Sequence, residues 1–173
     1  LEIRHTKVRC SSKKRTGTFK LRCIDDFHKS MVNDACSVRR RIRMGRHSDL
    51  EWILRELSSR LRLPLRLLKS DFKAAYRCCP IRTDHLEFSH ILVLDAEGAL
   101  HSSQQYAMPF GAVGAVYAWD RVGAAVSAIL RDYFMIPVVR YVDDLFWAET
   151  EDSATSCRQL VLDIVSLLGF TLE

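Results

Sequence analysis

The chain has 173 residues, of which 48% are hydrophobic and 27% are charged, so it is long enough for one globular domain and is unlike a disordered protein. Its net charge of +5 divides unevenly, with a balance of +12 over residues 1–70 and of −7 over residues 71–173. A basic half indicates a polyanionic partner, and an acidic half beside it indicates bound cations.

The sequence contains no pattern typical of secretion or membrane insertion. The first twenty residues are basic and polar and lack the apolar core segment that a signal peptide needs. The longest apolar stretch, Ala107 to Leu130, is interrupted by Asp120 and Arg121 and is rich in Gly and Ala, which favours a buried helix over a membrane span. We therefore expect an intracellular protein, in the cytoplasm or the nucleus, with no membrane partner.

The first third of the chain predicts extended segments followed by a helix. Residues 13–17 have the composition of a turn, and residues 19–27 alternate as a strand does. Residues 34–47 are polar and basic and predict a loop. Ser48 and Glu51 then form the pattern of a capping box, and Pro64 ends the predicted helix. The apolar residues of this helix fall on one face: Leu50, Ile53, Leu54, Leu57 and Leu61.

The remaining two thirds predict a mixture of short strands and longer helices. The predicted strands are 65–72, which is apolar enough to be buried, 88–94, 100–106, 138–142 and 145–148. The predicted helices are a turn at 74–76, a long helix of small residues at 112–132, and an amphipathic helix at 153–168. In the last helix Leu160, Val161, Ile164, Val165 and Leu168 point inward, and Gly169 occupies the C′ position. The pattern indicates an α+β fold in which helices cover one face of a mainly antiparallel sheet.

Three carboxylates stand at the ends of predicted strands. Asp71 lies at the end of strand 65–72, and Asp143 with Asp144 occupies the turn after strand 138–142. If these strands are neighbours, the carboxylates converge and repel one another unless cations lie between them. Hard oxygen ligands suit Mg²⁺ or Mn²⁺, and two such ions assist in-line phosphoryl transfer. An Asp-Asp pair is also ordinary in a turn, so this pair alone does not decide between the two interpretations.

Five short segments follow one another along the chain. They are Arg22-Cys23-Ile24-Asp25-Asp26-Phe27 with Asn33 after it, Leu68 to Tyr76 with Tyr76 five residues after Asp71, Met108-Pro109-Phe110-Gly111, Tyr141-Val142-Asp143-Asp144, and Leu168-Gly169-Phe170. In this order and spacing they resemble the fingers and palm motifs of reverse transcriptases from retroelements. The resemblance covers roughly residues 13–170.

The resemblance implies a role for each matched residue. Asp71, Asp143 and Asp144 would be the catalytic ligands of two Mg²⁺ or Mn²⁺ ions, with Asp144 the weaker ligand. Tyr76 would exclude a ribose 2′-hydroxyl, the alternative being a Tyr of the core. The implied nucleotide-binding residues are Phe72, Tyr76, Phe110, Gly111, Arg22, Lys14 and Arg15, with Arg22 and one of Lys13, Lys14 and Arg15 on the triphosphate. The implied structural positions of the motifs are Pro109, Tyr141, Val142 and Gly169.

By the same resemblance, residues 1–67 would form part of the fingers and residues 68–173 the palm of a right-handed polymerase. No thumb, primer-gripping hairpin or RNase H segment is recognisable, so we expect a fragment of a longer enzyme. Where the family often has Leu and then a small residue before Pro, this chain has Ala112-Val113-Gly114-Ala115-Val116. That departure weakens assignment to one retroelement class more than it weakens the expected activity.

We therefore expect an RNA-directed DNA polymerase that adds dNTPs to a primer on an RNA or DNA template. Two alternatives remain open. One is a retired polymerase kept as a nucleic-acid-binding module through its basic half. The other is an RNA-templated RNA polymerase, although such enzymes often carry Gly before the Asp-Asp pair and a smaller or acidic residue where Tyr76 stands. The sequence leaves the template preference, the priming mode and the oligomeric state undetermined.

Overall fold

The computed structural model describes residues 8–13, 19–23, 27, 31, 33–38 and 41–173. In chain order the elements are β1 (Val8–Lys13), β2 (Phe19–Cys23), α1 (His47–Leu61), β3 (Leu65–Asp71), β4 (His90–Leu94), β5 (Leu100–Gln104), α2 (Val113–Asp132), β6 (Val139–Tyr141), β7 (Asp144–Thr150) and α3 (Ala154–Leu167). Short 3₁₀ helices lie at Ala75–Cys78 and Thr83–Phe88. The elements make an α+β fold whose strands all pair antiparallel.

The chain divides into two compact units, each built from two separate stretches. Unit 1 comprises Leu1–Arg41 and Tyr76–Ala118, and unit 2 comprises Ile42–Ala75 and Trp119–Glu173.

Unit 1 holds two antiparallel strand pairs, β1 with β2 and β4 with β5. The turn between β4 and β5 is fixed by Asp95, whose Oδ1 accepts hydrogen bonds from the backbone N–H of Glu97 at 3.1 Å and of Ala99 at 2.7 Å. Gly98 lies in the same turn with φ of +84°, a conformation that glycine adopts without strain. The predicted hairpin is confirmed, but its first strand begins at His90 because Thr83–Phe88 is helical.

Unit 2 contains a three-stranded sheet in the order β3-β7-β6. The central strand β7 is the most buried, with Leu145, Trp147 and Ala148 at 1% exposure or less. The prediction that β3 is a buried strand is wrong, because β3 lies at a sheet edge and Leu67 is 52% exposed. Both α1 and α3 contact β3 and β7, and the core that results is rich in large apolar side chains: Trp119, Leu130, Leu145, Trp147, Val161 and Val165.

The predicted capping box of α1 is wrong in its register. The N-cap residue is Arg46, and its backbone N–H donates to Asp49 Oδ2 at 2.7 Å. Glu51 instead accepts from Arg55 Nη2 at 2.6 Å on the exposed side of the helix. Asp49 follows Arg46 at the same spacing as Glu51 follows Ser48, so the sequence offers two registers and the helix uses the earlier one. The helix ends at Leu61, before Pro64, because Arg62 turns the chain with φ of +51°.

The helix α3 ends as the sequence predicted. Gly169 has φ of +85°, and its N–H donates to Ser166 O at 2.9 Å while the N–H of Phe170 donates to Val165 O at 3.0 Å. These two bonds are those of a Schellman motif with glycine at C′. Val161, Ile164 and Val165 are buried as predicted, but Leu160 and Leu168 are about two fifths exposed, so the inward face is narrower than predicted.

The segment after α3 returns to the edge strand. The backbone of Glu173 exchanges two hydrogen bonds with that of Asp71, of 3.1 and 2.8 Å, and Lys73 N–H donates to Thr171 O at 2.9 Å. Leu172 is bridged to Phe72. The backbone of Asp71 is therefore tied to residues 171–173 as well as to β7.

The helix α2 is long and apolar enough to cross a membrane by length and composition alone. Among its residues in unit 2, Trp119, Val126 and Leu130 are at 3% exposure or less within the protein core. Only 33% of the apolar window is buried, so α2 packs on the core along one face and the predicted buried helix is met only in part.

Two glycines of α2 offer a matched test of this packing. A Cβ on Gly123 would lie 2.8 Å from Cδ and 2.9 Å from Nε of Arg140, a buried side chain held by hydrogen bonds, whereas a Cβ on Gly114 would meet nothing within 4 Å. Gly123→Ala should therefore lower the free energy of unfolding by about 1–3 kcal/mol, since overpacking forces the core to shift. Gly114→Ala should raise it by up to about 1 kcal/mol, through helix propensity alone. Urea denaturation of both variants measures the difference, and equal effects would contradict the packing of Arg140 against α2.

Candidate functional site

The register of β3 and β7 brings the predicted carboxylates to one end of the sheet. Asp71 is the Cα partner of Asp144, the last pair in a ladder that starts at Leu65 and Thr150. Beyond it, the N–H of Phe72 donates to the carbonyl of Asp143 at 2.9 Å. The strands that carry the three acids are thus neighbours in one sheet, as the sequence analysis required for the carboxylates to converge.

The turn that carries Asp143 is strained. Tyr141 pairs with Asp144, so Val142 and Asp143 form a two-residue turn between β6 and β7. Val142 has φ of +55°, and Asp143 is not among the residues with positive φ. A positive φ at the first central position alone is the pattern of a type II′ turn, where Gly is preferred. A β-branched residue there costs about 1–3 kcal/mol and persists only when the surroundings hold it in place.

Two buried donors hold this turn. The carbonyl of Val142 accepts hydrogen bonds from Trp119 Nε1 at 2.8 Å and from Arg140 Nη1 at 2.7 Å. Arg140 is only 7% exposed, and its Nη2 donates to the carbonyl and to the carboxylate of Asp120. A buried guanidinium needs such partners to offset its desolvation. The strain at Val142 is therefore sustained by a hydrogen-bonded network beneath the turn.

Sequence reasoning missed this supporting network. Asp120 was noted only as an interruption of an apolar stretch, and Arg140 only as part of a strand. A charge among the apolar residues of a helix can signal a buried partner, because an unpaired charge is rarely buried, although Arg121 beside Asp120 is exposed. The sequence could have identified Asp120 in this way, but it could not have indicated which arginine is its partner.

The electrostatics of the site combine the burial of Asp71 with repulsion from the other two acids. Burial, followed by the charges of Asp143 and Asp144, raises the pKa of the Asp71 carboxyl above its ordinary value. Within the part of the chain that the structure describes, Asp71 Oδ1 is buried and has no hydrogen-bond partner. Asp144 is different, since its Oδ1 lies 2.8 Å from Lys69 Nζ. That hydrogen bond raises the pKa of Lys69.

The three carboxylates fit a divalent cation in the chemistry of their donor atoms but not in the placement of their side chains. Among the described residues, no three His, Cys, Asp or Glu side chains are assembled into a group ready to hold a metal ion. The chemistry of the donors nevertheless fits Mg²⁺ or Mn²⁺, since all three acids offer hard oxygens and Asp71 Oδ1 is unsatisfied. The backbone thus brings the three acids to one end of the sheet, while their side chains are not arranged to surround a metal ion.

Three of the predicted nucleotide-binding residues lie together in unit 1. The half-buried ring of Tyr76 meets Phe110 edge to face, with ring centroids 5.1 Å apart. Gly111 is exposed and has φ of +98°, a conformation that other residues rarely adopt. Asn33 holds this loop, because its Nδ2 donates to Gly111 O at 2.9 Å and its Oδ1 accepts from Val113 N–H at 3.0 Å. Asn33 was noted in the sequence only as part of a motif, and its role as a clamp emerges from these contacts.

Phe72 is a core residue. Its side chain is 3% exposed and packs edge to face on Trp119 at 4.8 Å and on Phe170 at 6.1 Å. This burial argues against the nucleotide contact that was predicted for Phe72, because its ring already fills the core and its N–H is bonded to Asp143 O.

The other predicted positions divide between described and undescribed residues. Tyr141 is 55% exposed and Pro109 is buried. Lys14 and Arg15 lie outside the described residues, as does the side chain of Arg22, whose backbone belongs to β2. The predicted triphosphate contacts therefore stay predictions.

The raised pKa of Asp71 predicts how stability depends on pH. The folded chain binds the Asp71 proton more tightly than the unfolded chain does. Below the ordinary pKa of 3.8 the carboxyl is protonated in both states, so it does not change the free energy of unfolding. As the pH rises from there through the raised pKa, the charge of Asp71 destabilises the folded state. Without divalent metal, Asp71→Asn should therefore raise Tm at about pH 7, and the gain should shrink as the pH falls toward 4.

The control for this measurement is Asp163→Asn on α3, an exposed carboxylate whose main contact is with Gln159. It should show no such gain. If Asp71→Asn lowered Tm by the same amount at every pH, that result would contradict the inference that the charge of Asp71 destabilises the folded chain.

Comparisons with protein families and with curated proteins identified no relative of this chain. A scan against protein-family models gave no match, and a search of curated proteins found no significant match.

Proposed function

We propose that this chain is the catalytic part of a polymerase of the reverse-transcriptase type, a palm with part of the fingers. It would add dNTPs to a primer 3′-hydroxyl on an RNA or DNA template. The observation that carries the proposal is the pairing of Asp71 with Asp144 on adjacent strands, beside the strained Tyr141-Val142-Asp143-Asp144 turn. Strained backbone and unsatisfied charge both concentrate at functional sites.

Asp71, Asp143 and Asp144 would hold two divalent cations. Such ions, when bound, supply a lowered pKa for an attacking hydroxyl and charge neutralisation for a leaving pyrophosphate. The chain's own contribution is position: β3 and β7 set the spacing of Asp71 and Asp144, and the network of Trp119, Arg140 and Asp120 fixes the turn that carries Asp143.

Tyr76 and Phe110 would contact the incoming nucleotide. Their edge-to-face contact orients the Tyr76 ring, and Asn33 holds the exposed Gly111 in a conformation that other residues rarely adopt. A rigid ring selects against a 2′-hydroxyl by exclusion, and an exposed glycine lets a substrate approach the backbone closely.

The basic half of the chain would attract the template and the primer. Residues 1–70 carry a balance of +12, and cations that neutralise phosphates gain free energy by releasing counterions. The same positive charge suits the alternative function, a nucleic-acid-binding module without catalysis. The two functions differ in their need for the carboxylates, which only the polymerase uses.

A substitution at Asp143 separates the two functions. A polypeptide that contains this chain is assayed for dNTP incorporation on a primed RNA template, with Mg²⁺ or Mn²⁺. Asp143→Asn removes a charged ligand and keeps the shape of the side chain, so it should lower incorporation by at least about 10²-fold while primer-template affinity holds or rises. Asp163→Asn, which removes an exposed carboxylate on α3, should leave both quantities unchanged. Nucleic-acid binding without any metal-dependent synthesis in the wild type would favour the binding module.

A substitution at Tyr76 tests sugar selection. Tyr76→Ala removes the ring that meets Phe110, so ribonucleotide incorporation relative to dNTP incorporation should rise by about tenfold or more. The matched control is Tyr106→Ala, because Tyr106 is 65% exposed in the same unit. If Tyr76→Ala changed overall activity but not the ratio of the two substrates, Tyr76 would be a core residue and not a selector.

A further inference from the structure

Lys69 lies beside the three carboxylates, and none of the roles predicted from the motifs was assigned to it. It stands two residues before Asp71 on β3, so both side chains point to the same face of the sheet. Lys69 Nζ is 2.8 Å from Asp144 Oδ1 and 5.5 Å from the ring centroid of Phe146, its partner in the register. The side chain of Lys69 is 54% exposed and that of Asp144 is 27% exposed.

The position of the ammonium group matters because it engages a proposed metal ligand. Across the described ranges, Lys69 is the one cation in an ion pair with any of Asp71, Asp143 and Asp144. The Nζ of Lys73, the next lysine along the chain, lies 4.0 Å from a carboxylate oxygen of Glu173. An ammonium and a divalent cation that approach the same carboxylate oxygen exclude each other, because each repels the other at this distance.

We propose that Lys69 is a positioning residue that serves as an internal counter-cation of the site: it holds Asp144 in an ion pair until a divalent cation displaces it. The proposal rests on the metal site of the proposed function. It also rests on the ion pair at Asp144, whose carboxylate is one of the three proposed metal ligands. Lys69 would thereby weaken the affinity of the site for divalent cations, and Asp144 would be the ligand that has to change partners.

The test measures Mn²⁺ binding to the whole chain by the loss of the free-ion signal in electron paramagnetic resonance. Lys69→Met removes the charge and keeps the length of the side chain, so Mn²⁺ should bind about three- to tenfold more tightly than to the wild type. Lys69→Arg keeps the charge and should bind Mn²⁺ as the wild type does, within about twofold. Arg66→Met is the matched control, since it removes a cation from the same strand, one that pairs with Glu151 at 2.6 Å. It should leave Mn²⁺ affinity unchanged.

The direction of the effect separates this role from a structural one. A residue that merely stabilises the strand would, on substitution, lower Tm and weaken Mn²⁺ binding, whereas the proposal requires tighter binding. If the wild type binds Mn²⁺ and Lys69→Met binds it equally or more weakly, the role of Lys69 is overturned and the metal site stands. If neither protein binds Mn²⁺, both the metal site and the role of Lys69 are overturned. If Lys69→Met binds Mn²⁺ and the wild type does not, the result would support the proposal most strongly.

Discussion

The structure of the site depends on the carbonyl oxygen of Val142. This oxygen accepts one hydrogen bond from Trp119 in α2 and another from Arg140 in β6. Since Arg140 is itself bound to Asp120, the turn, the strand and the helix are fixed by one buried polar network. Polar networks of this kind are costly when incomplete and specific when complete, because each buried group has few alternative partners. A turn that would otherwise relax is held in the conformation that presents Asp143 and Asp144.

The same region carries negative charge that the fold does not need for its stability. Three acids lie at the end of one sheet, and the buried oxygen of Asp71 has no hydrogen-bond partner in the described part of the chain. Natural proteins tolerate such arrangements where function requires them and recover the lost free energy in the core. That core includes the aromatic cluster of Phe72, Trp119 and Phe170, and Phe72 directly follows Asp71 in sequence.

The sequence predicted the periodic parts of the fold because those parts depend on local patterns. The long helix of small residues, the hairpin before it and the glycine after α3 follow from spacing and from glycine's freedom of φ. The edge position of β3 was not predictable, since an apolar run looks the same in the centre of a sheet as at its edge. The predicted N-cap of α1 was wrong because two acids, Asp49 and Glu51, each stand three residues after a residue that could begin the helix.

The candidate site likewise has residues that the sequence predicted and residues that it did not. The three acids and the Tyr141 to Asp144 turn could be found from motifs, which preserve residue types at fixed spacing. Lys69, Arg140 and Asn33 act through contacts with residues distant in sequence, and no local pattern marks such contacts. The core position of Phe72 was missed for a related reason: a motif gives the identity of a residue but not the direction of its side chain.

The return of residues 171–173 to β3 has a mechanical consequence. Asp71 exchanges both of its backbone hydrogen bonds on that edge with Glu173, and α3 leads into this segment through the Gly169 cap. A displacement of α3 would therefore pull on the same strand residue that carries a proposed metal ligand. The position of Asp71 is therefore coupled to that of α3 through the backbone of residues 171–173.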